Sequence, residues 1–70
     1  MSEEQRLLWA GPIQAVLDTH RAQMARIAEA SGIHERTLWR IQAGHNIYVR
    51  RHNAEAISIA VGSHITQLYP

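Results

Sequence analysis

The sequence predicts a single, compact, all-α domain of four to five helices. Apolar residues recur every three or four positions over most of the chain, which is the period of helices that bury one face. Four glycines, at positions 11, 32, 44 and 62, divide this pattern into pieces of helix length. No strand pattern, internal repeat or low-complexity segment stands out among the 70 residues, a length typical of one domain.

The first 20 residues predict a short N-terminal extension followed by the first core helix. Ser2 and Gln5 have the spacing of a capping box, so we expect a short helix within the extension, residues 1–11. Gly11 and Pro12 end that helix, and Pro12 suits the first turn of the next one. The inward face of this next helix carries three apolar residues at helical spacing: Ile13, Val16 and Leu17.

The middle of the chain predicts two helices joined by a tight turn, over residues 23–31 and 34–43. Gly32 ends the first of these helices, because glycine tolerates the left-handed conformation of a C-terminal cap. Ala28 supplies the small side chain that two steeply crossing helices need where their backbones approach. The residues expected to face the core are apolar: Met24, Ile27, Ile33, Leu38 and Ile41. Residues 24–43 therefore predict a helix-turn-helix.

The C-terminal third predicts a loop and two further helices. In the loop, residues 45–51, we expect Ile47 and Val49 to fill the core while the residues between them face solvent. Asn53 is a good N-cap for the fourth helix, and Ser63 is placed to cap a last short helix. The fourth helix is expected to bury three residues: Ile57, Ala60 and Val61.

The net charge of +1 is unevenly distributed along the chain. Residues 21–51 carry six arginines and two glutamates, a sum of +4, whereas residues 1–20 sum to −2 and residues 52–70 to −1. A basic segment of this kind is typical of a nucleic-acid-binding surface. Every basic residue is arginine, whose planar guanidinium suits phosphate and guanine. A GC-rich coding sequence would also favour arginine, so the clustering is the stronger indication.

Residues 24–41, MARIAEASGIHERTLWRI, resemble the helix-turn-helix family of lambdoid phage repressors and Cro proteins. The resemblance extends from Ile13 to Leu68, and residues 56–62 together with Leu68 look like the family's fourth and fifth helices. The other matching positions are Ile27, Ala28, Gly32, Ile33, Leu38, Ile41 and Gly44. The resemblance implies a lambda-repressor-like, five-helix DNA-binding domain of the kind usually found in dimeric transcriptional regulators.

Four residues depart from the usual pattern of this family. His34 replaces the serine or threonine that caps the third helix, and Ser31 replaces an apolar residue. Met24 stands where a polar contact to phosphate is common, and Trp39 stands where the side chain is usually polar. We expect Trp39 to lie partly exposed, where it can cover a neighbouring helix, contact a DNA sugar or meet a partner.

The family pattern assigns two sets of residues to DNA. Five are implied to contact bases in the major groove: His34, Glu35, Arg36, Thr37 and Arg40. Five are implied to contact phosphates: Gln23, Arg26, Asn46, Arg50 and Arg51. Arg36 and Arg40 can each donate two hydrogen bonds to guanine, whereas Glu35 either accepts from cytosine or favours the helix N-terminus by its charge. A solvated loop is the alternative interpretation for the last three phosphate candidates.

We therefore expect a sequence-specific, double-stranded DNA-binding transcriptional regulator, either a repressor or a Cro-like protein of a phage or mobile element. It would act in the cytoplasm of a bacterial cell or phage-infected host, at the nucleoid. The family resemblance and apolar residues near both ends predict a homodimer. We expect no enzyme, because no nucleophile stands with an oriented base. We expect no metal or cofactor, because the five histidines lack zinc-site spacing and cysteine is absent. We expect neither a membrane nor a small-molecule substrate as a partner.

The alternative is a protein-interaction module, such as an antitoxin, an anti-repressor or an adaptor, built on the same fold. Leu7, Leu8 and Trp9, together with Leu68 and Tyr69, can form such an interface or that of the homodimer. Trp9 is otherwise expected to pack in the core or to cover it. The arginines distinguish the two functions, because a DNA reader needs four of them on one surface: Arg36, Arg40, Arg50 and Arg51.

Overall fold

The computed structural model describes residues 2–70, without the side chain of Glu4, and most of these residues are helical, as the sequence predicts. The five α-helices are α1 (Gly11–Thr19), α2 (Met24–Ser31), α3 (Glu35–Gln42), α4 (Arg51–Ala60) and α5 (Ile65–Leu68). Two single-turn 3-10 helices precede β1 and α2: Glu3–Gln5 and Arg21–Gln23. The domain measures 32 × 24 × 20 Å. Within the described residues, no helix has the length and apolar character needed to cross a lipid bilayer.

Two short strands, β1 (Leu7–Trp9) and β2 (Tyr48–Arg50), pair antiparallel, so the prediction of a purely all-α domain is wrong. In the register of this sheet Leu8 lies opposite Val49, and both side chains face inward. Val49 is buried as predicted, but Ile47 is 70% exposed and does not fill the core. Ile47 lies in a bend before β2, where its carbonyl accepts a hydrogen bond from the Ala10 N–H at 2.9 Å.

The core lies where the helices meet, with α1 packed on α3, and α2 packed on both α3 and α4. Its buried apolar residues are Ala10, Ile13, Leu17, Met24, Ile27, Leu38, Ile41, Val49, Ala54, Ile57 and Ile65. Every apolar residue predicted to face the core from the second and third helices is therefore buried or packed against that cluster. Ser58 is the buried polar residue of the described core, and its hydroxyl donates to the Ala54 carbonyl at 2.7 Å.

Three of the four glycines end helices as predicted, and Gly32 does so most clearly. Its φ of 73° lies in the left-handed region, and its N–H donates to the Ala28 carbonyl at 2.9 Å. Gly44 and Gly62 follow α3 and α4 with positive φ as well. Gly11 instead begins α1, with proline in the first turn, because β1 and not a helix precedes it.

Several helix starts differ from the sequence prediction. Helix α4 begins at Arg51 and not near Asn53, because β2 runs directly into it and the Arg51 N–H donates to the Arg6 carbonyl at 2.8 Å. Helix α5 is capped by His64, not by Ser63. The predicted capping box at Ser2 is absent, because the Ser2 side chain makes no cap hydrogen bond. In place of the predicted short helix, the extension contains one 3-10 turn and a strand.

Candidate nucleic-acid interface

Helix α3 has one buried face and one face directed to solvent. Leu38 and Ile41 are 0% and 2% exposed and pack into the core. Because a helix turns about 100° per residue, Arg36 and Arg40 lie one above the other on the opposite face. Both are exposed, and Trp39, which is 41% exposed, lies beside them. We call these three side chains the α3 ridge.

His34 fixes the start of the helix that carries the α3 ridge. Its backbone is extended, and its Nδ1 accepts a hydrogen bond from the Arg36 N–H at 3.1 Å. Its carbonyl accepts from the N–H groups of Thr37 and Leu38 at 3.0 and 3.2 Å. An imidazole therefore provides an N-cap, a role that serine, threonine, aspartate or asparagine more often fills in helices. The ring is exposed, so its outer edge is accessible to a ligand.

Glu35 and Thr37 flank the α3 ridge near its N-terminal end. Glu35 is the first residue of α3 and is exposed, so its charge interacts favourably with the helix N-terminus. Thr37 lies on the flank of α3 that faces β2. There it lines a groove of about 230 Å³ together with Asn46 and Arg50. The structure therefore brings Thr37, a candidate for base contact, beside Asn46 and Arg50, two candidates for phosphate contact.

Gln23 and Arg26 lie apart from that groove, at the N-terminal end of α2. Gln23 precedes α2 as its N-cap residue without forming a side-chain cap, and Arg26 is in the first turn. Both side chains are exposed. Among the described side chains, no hydrogen bond or ion pair joins either of them to α3.

The arginines divide into two groups by their ion pairs. Arg6 lies 3.6 Å from Glu3, and Arg21 lies 3.8 Å from Asp18. Arg51 makes two contacts, because its Nε donates to Glu55 at 2.9 Å and its Nη1 lies 3.7 Å from Glu3. The other four have no carboxylate within 4.0 Å among the described side chains: Arg26, Arg36, Arg40 and Arg50.

All four of these arginines belong to the sets assigned to DNA from the sequence. Arg36 and Arg40 stand one turn apart on α3, and like charges at this spacing destabilise a helix by about 0.2–0.5 kcal/mol. An anionic ligand over the α3 ridge would remove that repulsion. Arg51 is the exception among the candidates, since it is only 28% exposed on its side chain and already contacts two carboxylates.

The outer face of the two-stranded sheet pairs Trp9, which the sequence suggested as part of an interface, with Tyr48, which the sequence placed in a loop. Trp9 was expected in or over the core, but it is 66% exposed and pairs across the strands with Tyr48. The signal was present in part in the sequence, where Ile47 and Val49 alternate with Asn46, Tyr48 and Arg50 as in a strand, although Ile47 is exposed in the structure. The partner strand, which lies far away in the sequence, could not be identified from that alternation.

Comparisons with models of known protein families, with curated protein sequences and with solved structures find no match to this chain.

Proposed function

We propose that this chain is a sequence-specific, double-stranded DNA-binding transcriptional regulator, a repressor or Cro-like protein. In this proposal α2, the turn and α3 form a lambda-repressor-like helix-turn-helix, and α3 enters the major groove. One observation carries it: the four arginines without a described counterion are all residues that the helix-turn-helix resemblance assigns to DNA. An anionic partner would supply counterions for these four side chains, which have no carboxylate within 4.0 Å among the described side chains.

The α3 ridge supplies the proposed sequence readout. In helix-turn-helix proteins the N-terminal part of the recognition helix contacts base edges, and Arg36 lies in the first turn of α3. Arg36 and Arg40 each donate two hydrogen bonds to guanine O6 and N7 in the proposed complex. Leu38 and Ile41 hold the helix rigidly from the buried side, which reduces the entropy cost of binding.

The phosphate contacts are proposed to come from the edges of this surface. Asn46 and Arg50 line the groove beside Thr37, so they are placed to hold the backbone next to the bases that α3 reads. Gln23 and Arg26 are proposed to hold the backbone at the start of α2. Arg51 has the smallest proposed role, because its guanidinium is engaged by carboxylates.

Selection of bound sites from random duplex DNA tests this function. The wild-type chain is expected to enrich one motif, and Arg36→Ala with Arg40→Ala to lose it, since a bidentate contact contributes about 1–3 kcal/mol of discrimination. The matched control removes two arginines that are paired with acids, Arg6→Ala with Arg21→Ala, and should keep the motif. Absence of enrichment by the wild-type chain, or the same motif from the ridge variant, would refute the proposal.

A second candidate function is a protein-interaction module on the same fold, and the exposed apolar face of the sheet favours it. A chain that serves only as an adaptor would enrich no DNA motif in the same experiment. Four arginines without a counterion among the described side chains favour a polyanion such as DNA over an uncharged protein surface as the partner.

A further inference from the structure

Two of the five histidines cap helices through the same ring nitrogen. At the start of α3, His34 Nδ1 accepts a hydrogen bond from the Arg36 N–H at 3.1 Å. At the start of α5, His64 Nδ1 accepts from the Thr66 N–H at 3.3 Å. A backbone N–H can only donate, so Nδ1 carries no proton in either cap.

The cap determines which tautomer the neutral His34 ring adopts. A neutral imidazole carries one proton, and with Nδ1 bare that proton is on Nε2. Nδ1 is directed at the first turn of α3, so Nε2, on the other side of the ring, is directed away from the helix. Among the described residues Nε2 has no hydrogen-bond partner, and the ring is exposed. His34 therefore offers one free N–H donor directly before the α3 ridge.

The same cap is incompatible with a charged ring. An imidazolium has a proton on both nitrogens and no acceptor, so Nδ1 of a charged His34 could not accept from the Arg36 N–H. A DNA phosphate in contact with a histidine favours the charged form, because opposite charges attract. N7 of a purine is an uncharged acceptor that needs only the Nε2 proton. The capped ring therefore suits a base edge better than a phosphate.

A free donor limits the base edges that His34 can contact in the major groove. Guanine offers N7 and O6 as acceptors, adenine offers N7 and thymine offers O4, whereas the amines of cytosine and adenine only donate. Thymine O4 lies between the adenine amine and the thymine methyl group. N7 lies at the edge of the base pair and is common to both purines. It is therefore the acceptor most open to a side chain at the end of a helix.

We propose that His34 donates a hydrogen bond from Nε2 to N7 of a purine and so makes one position of the DNA site purine-specific. The contact rests on the proposed DNA-binding function, in which the N-terminal end of α3 contacts base edges. Nδ1 caps the helix while Nε2 reads the base, so one neutral imidazole has both roles. The two roles can be separated by experiment, because a side chain can keep the capping acceptor and lack the outer donor.

The tautomer can be measured in the free chain, without DNA. Long-range ¹H–¹⁵N NMR correlations of the ¹⁵N-labelled imidazoles distinguish the two neutral tautomers at about pH 8.5, where histidine is ordinarily neutral. His34 and His64 should both carry the proton on Nε2. A proton on Nδ1 of His34 overturns the proposal, whatever the chain binds.

The base contact is tested by fluorescence anisotropy on the motif that the wild-type chain selects. Each purine of the motif is replaced in turn by its 7-deaza analogue, which has C–H in place of N7. One replacement should weaken wild-type binding about two- to ten-fold, the range for one hydrogen bond, and leave the binding of His34→Ser unchanged. Purines read by Arg36 or Arg40 should instead weaken both chains alike.

The variants separate the base contact from the helix cap. Serine keeps a capping oxygen and lacks the outer donor, and His34→Thr provides a second variant of the same kind. His64→Ser is the matched control, because it alters the imidazole cap of α5, which packs on α4. It should respond to each 7-deaza analogue as the wild-type chain does. Far-UV circular dichroism verifies that the variants fold.

The outcomes distinguish this contact from the DNA-binding function itself. A wild-type chain that selects no motif refutes the function and the contact together. The contact alone is overturned if a motif is selected but no 7-deaza analogue distinguishes the wild-type chain from His34→Ser. It is also overturned if an uncharged methylphosphonate linkage distinguishes the two chains in place of a 7-deaza analogue, because His34 would then contact the backbone. Loss of the same response in His64→Ser would equally remove the assignment to His34.

Discussion

Replacing Arg50 with alanine is expected to weaken binding to every duplex alike and to flatten its salt dependence. Arg50 is exposed, has no carboxylate within 4.0 Å among the described side chains, and lines the groove with Thr37 and Asn46. Removing one bond to a DNA phosphate reduces the slope of log affinity against log salt by about 0.9. Between about 50 and 200 mM salt, the ratio of the wild-type affinity to the variant affinity should therefore fall about 3.5-fold.

Arg51→Ala is the matched control at the neighbouring position. The Arg51 guanidinium already donates to Glu55 at 2.9 Å and lies 3.7 Å from Glu3, so it is not available to phosphate. We expect its removal to leave the salt slope close to that of the wild-type chain. It should instead lower the free energy of unfolding by about 0.5 kcal/mol, the usual scale for partly exposed ion pairs.

The assay is fluorescence anisotropy with the selected duplex and a scrambled duplex at five salt concentrations, alongside urea unfolding of each variant. An equal decrease of the slope in both variants would mean that ion pairing does not decide which arginine reaches DNA. An unchanged slope in Arg50→Ala would remove the residues beside the groove from the proposed interface.

Three further outcomes follow from single side chains. Trp39 is 41% exposed beside Arg36 and Arg40, so if α3 enters the major groove as proposed, its indole lies where a thymine methyl group is the apolar group open to it. Replacing that thymine with uracil should then weaken wild-type binding about four-fold, the equivalent of about 0.8 kcal/mol for one carbon, and leave Trp39→Ala binding unchanged. His34→Ala should lower the free energy of unfolding by about 1 kcal/mol in urea titration, whereas His34→Asn, which retains a capping acceptor, should not. Burial raises the pKa of Tyr69 above its ordinary 10.0, so the unfolded chain ionises first and stability should fall as the pH rises beyond about 10. Tyr69→Phe should lose less stability over the same pH range in thermal melts, and an equal loss would assign the effect to other groups.

The helices could be predicted from the sequence because their signals are local. Leu38 and Ile41 repeat at helical spacing, and Gly32 ends α2 within a few residues of the pattern that it terminates. The sheet could not be predicted in the same way. Each strand has three residues, and Val49 pairs with Leu8 across the intervening helices α1, α2 and α3, so neither strand carries a local signal for the other. The start of α4 was missed for the same reason, since the Arg51 N–H is satisfied by the opposite strand.

The residues of the candidate site could be predicted from the sequence, but which of its arginines are paired with carboxylates could not. The solvent-facing positions of Arg36 and Arg40 follow from helical spacing alone. Arg50 and Arg51 look equivalent in the sequence, yet the strand directs one outward and the helix turns the other toward Glu55. Part of this pattern could be predicted, because residues 51 and 55 have the spacing of a helical ion pair.

The hydrogen bond that the Tyr69 hydroxyl donates to the Trp9 carbonyl at 2.6 Å has a consequence for how the domain folds. It joins residues 60 positions apart, and β1 also pairs with a strand beyond three helices. Closing such long loops costs chain entropy that only the completed core can offset, so α1, α2 and α3 are expected to associate before the sheet forms. Substitutions at Leu8 or Tyr69 should then have φ-values near zero in chevron analysis, accelerating unfolding while folding rates stay unchanged. The sheet would thus form late in folding. Its contacts would set the unfolding rate and so the lifetime of the native state, whereas the helices would set the folding rate.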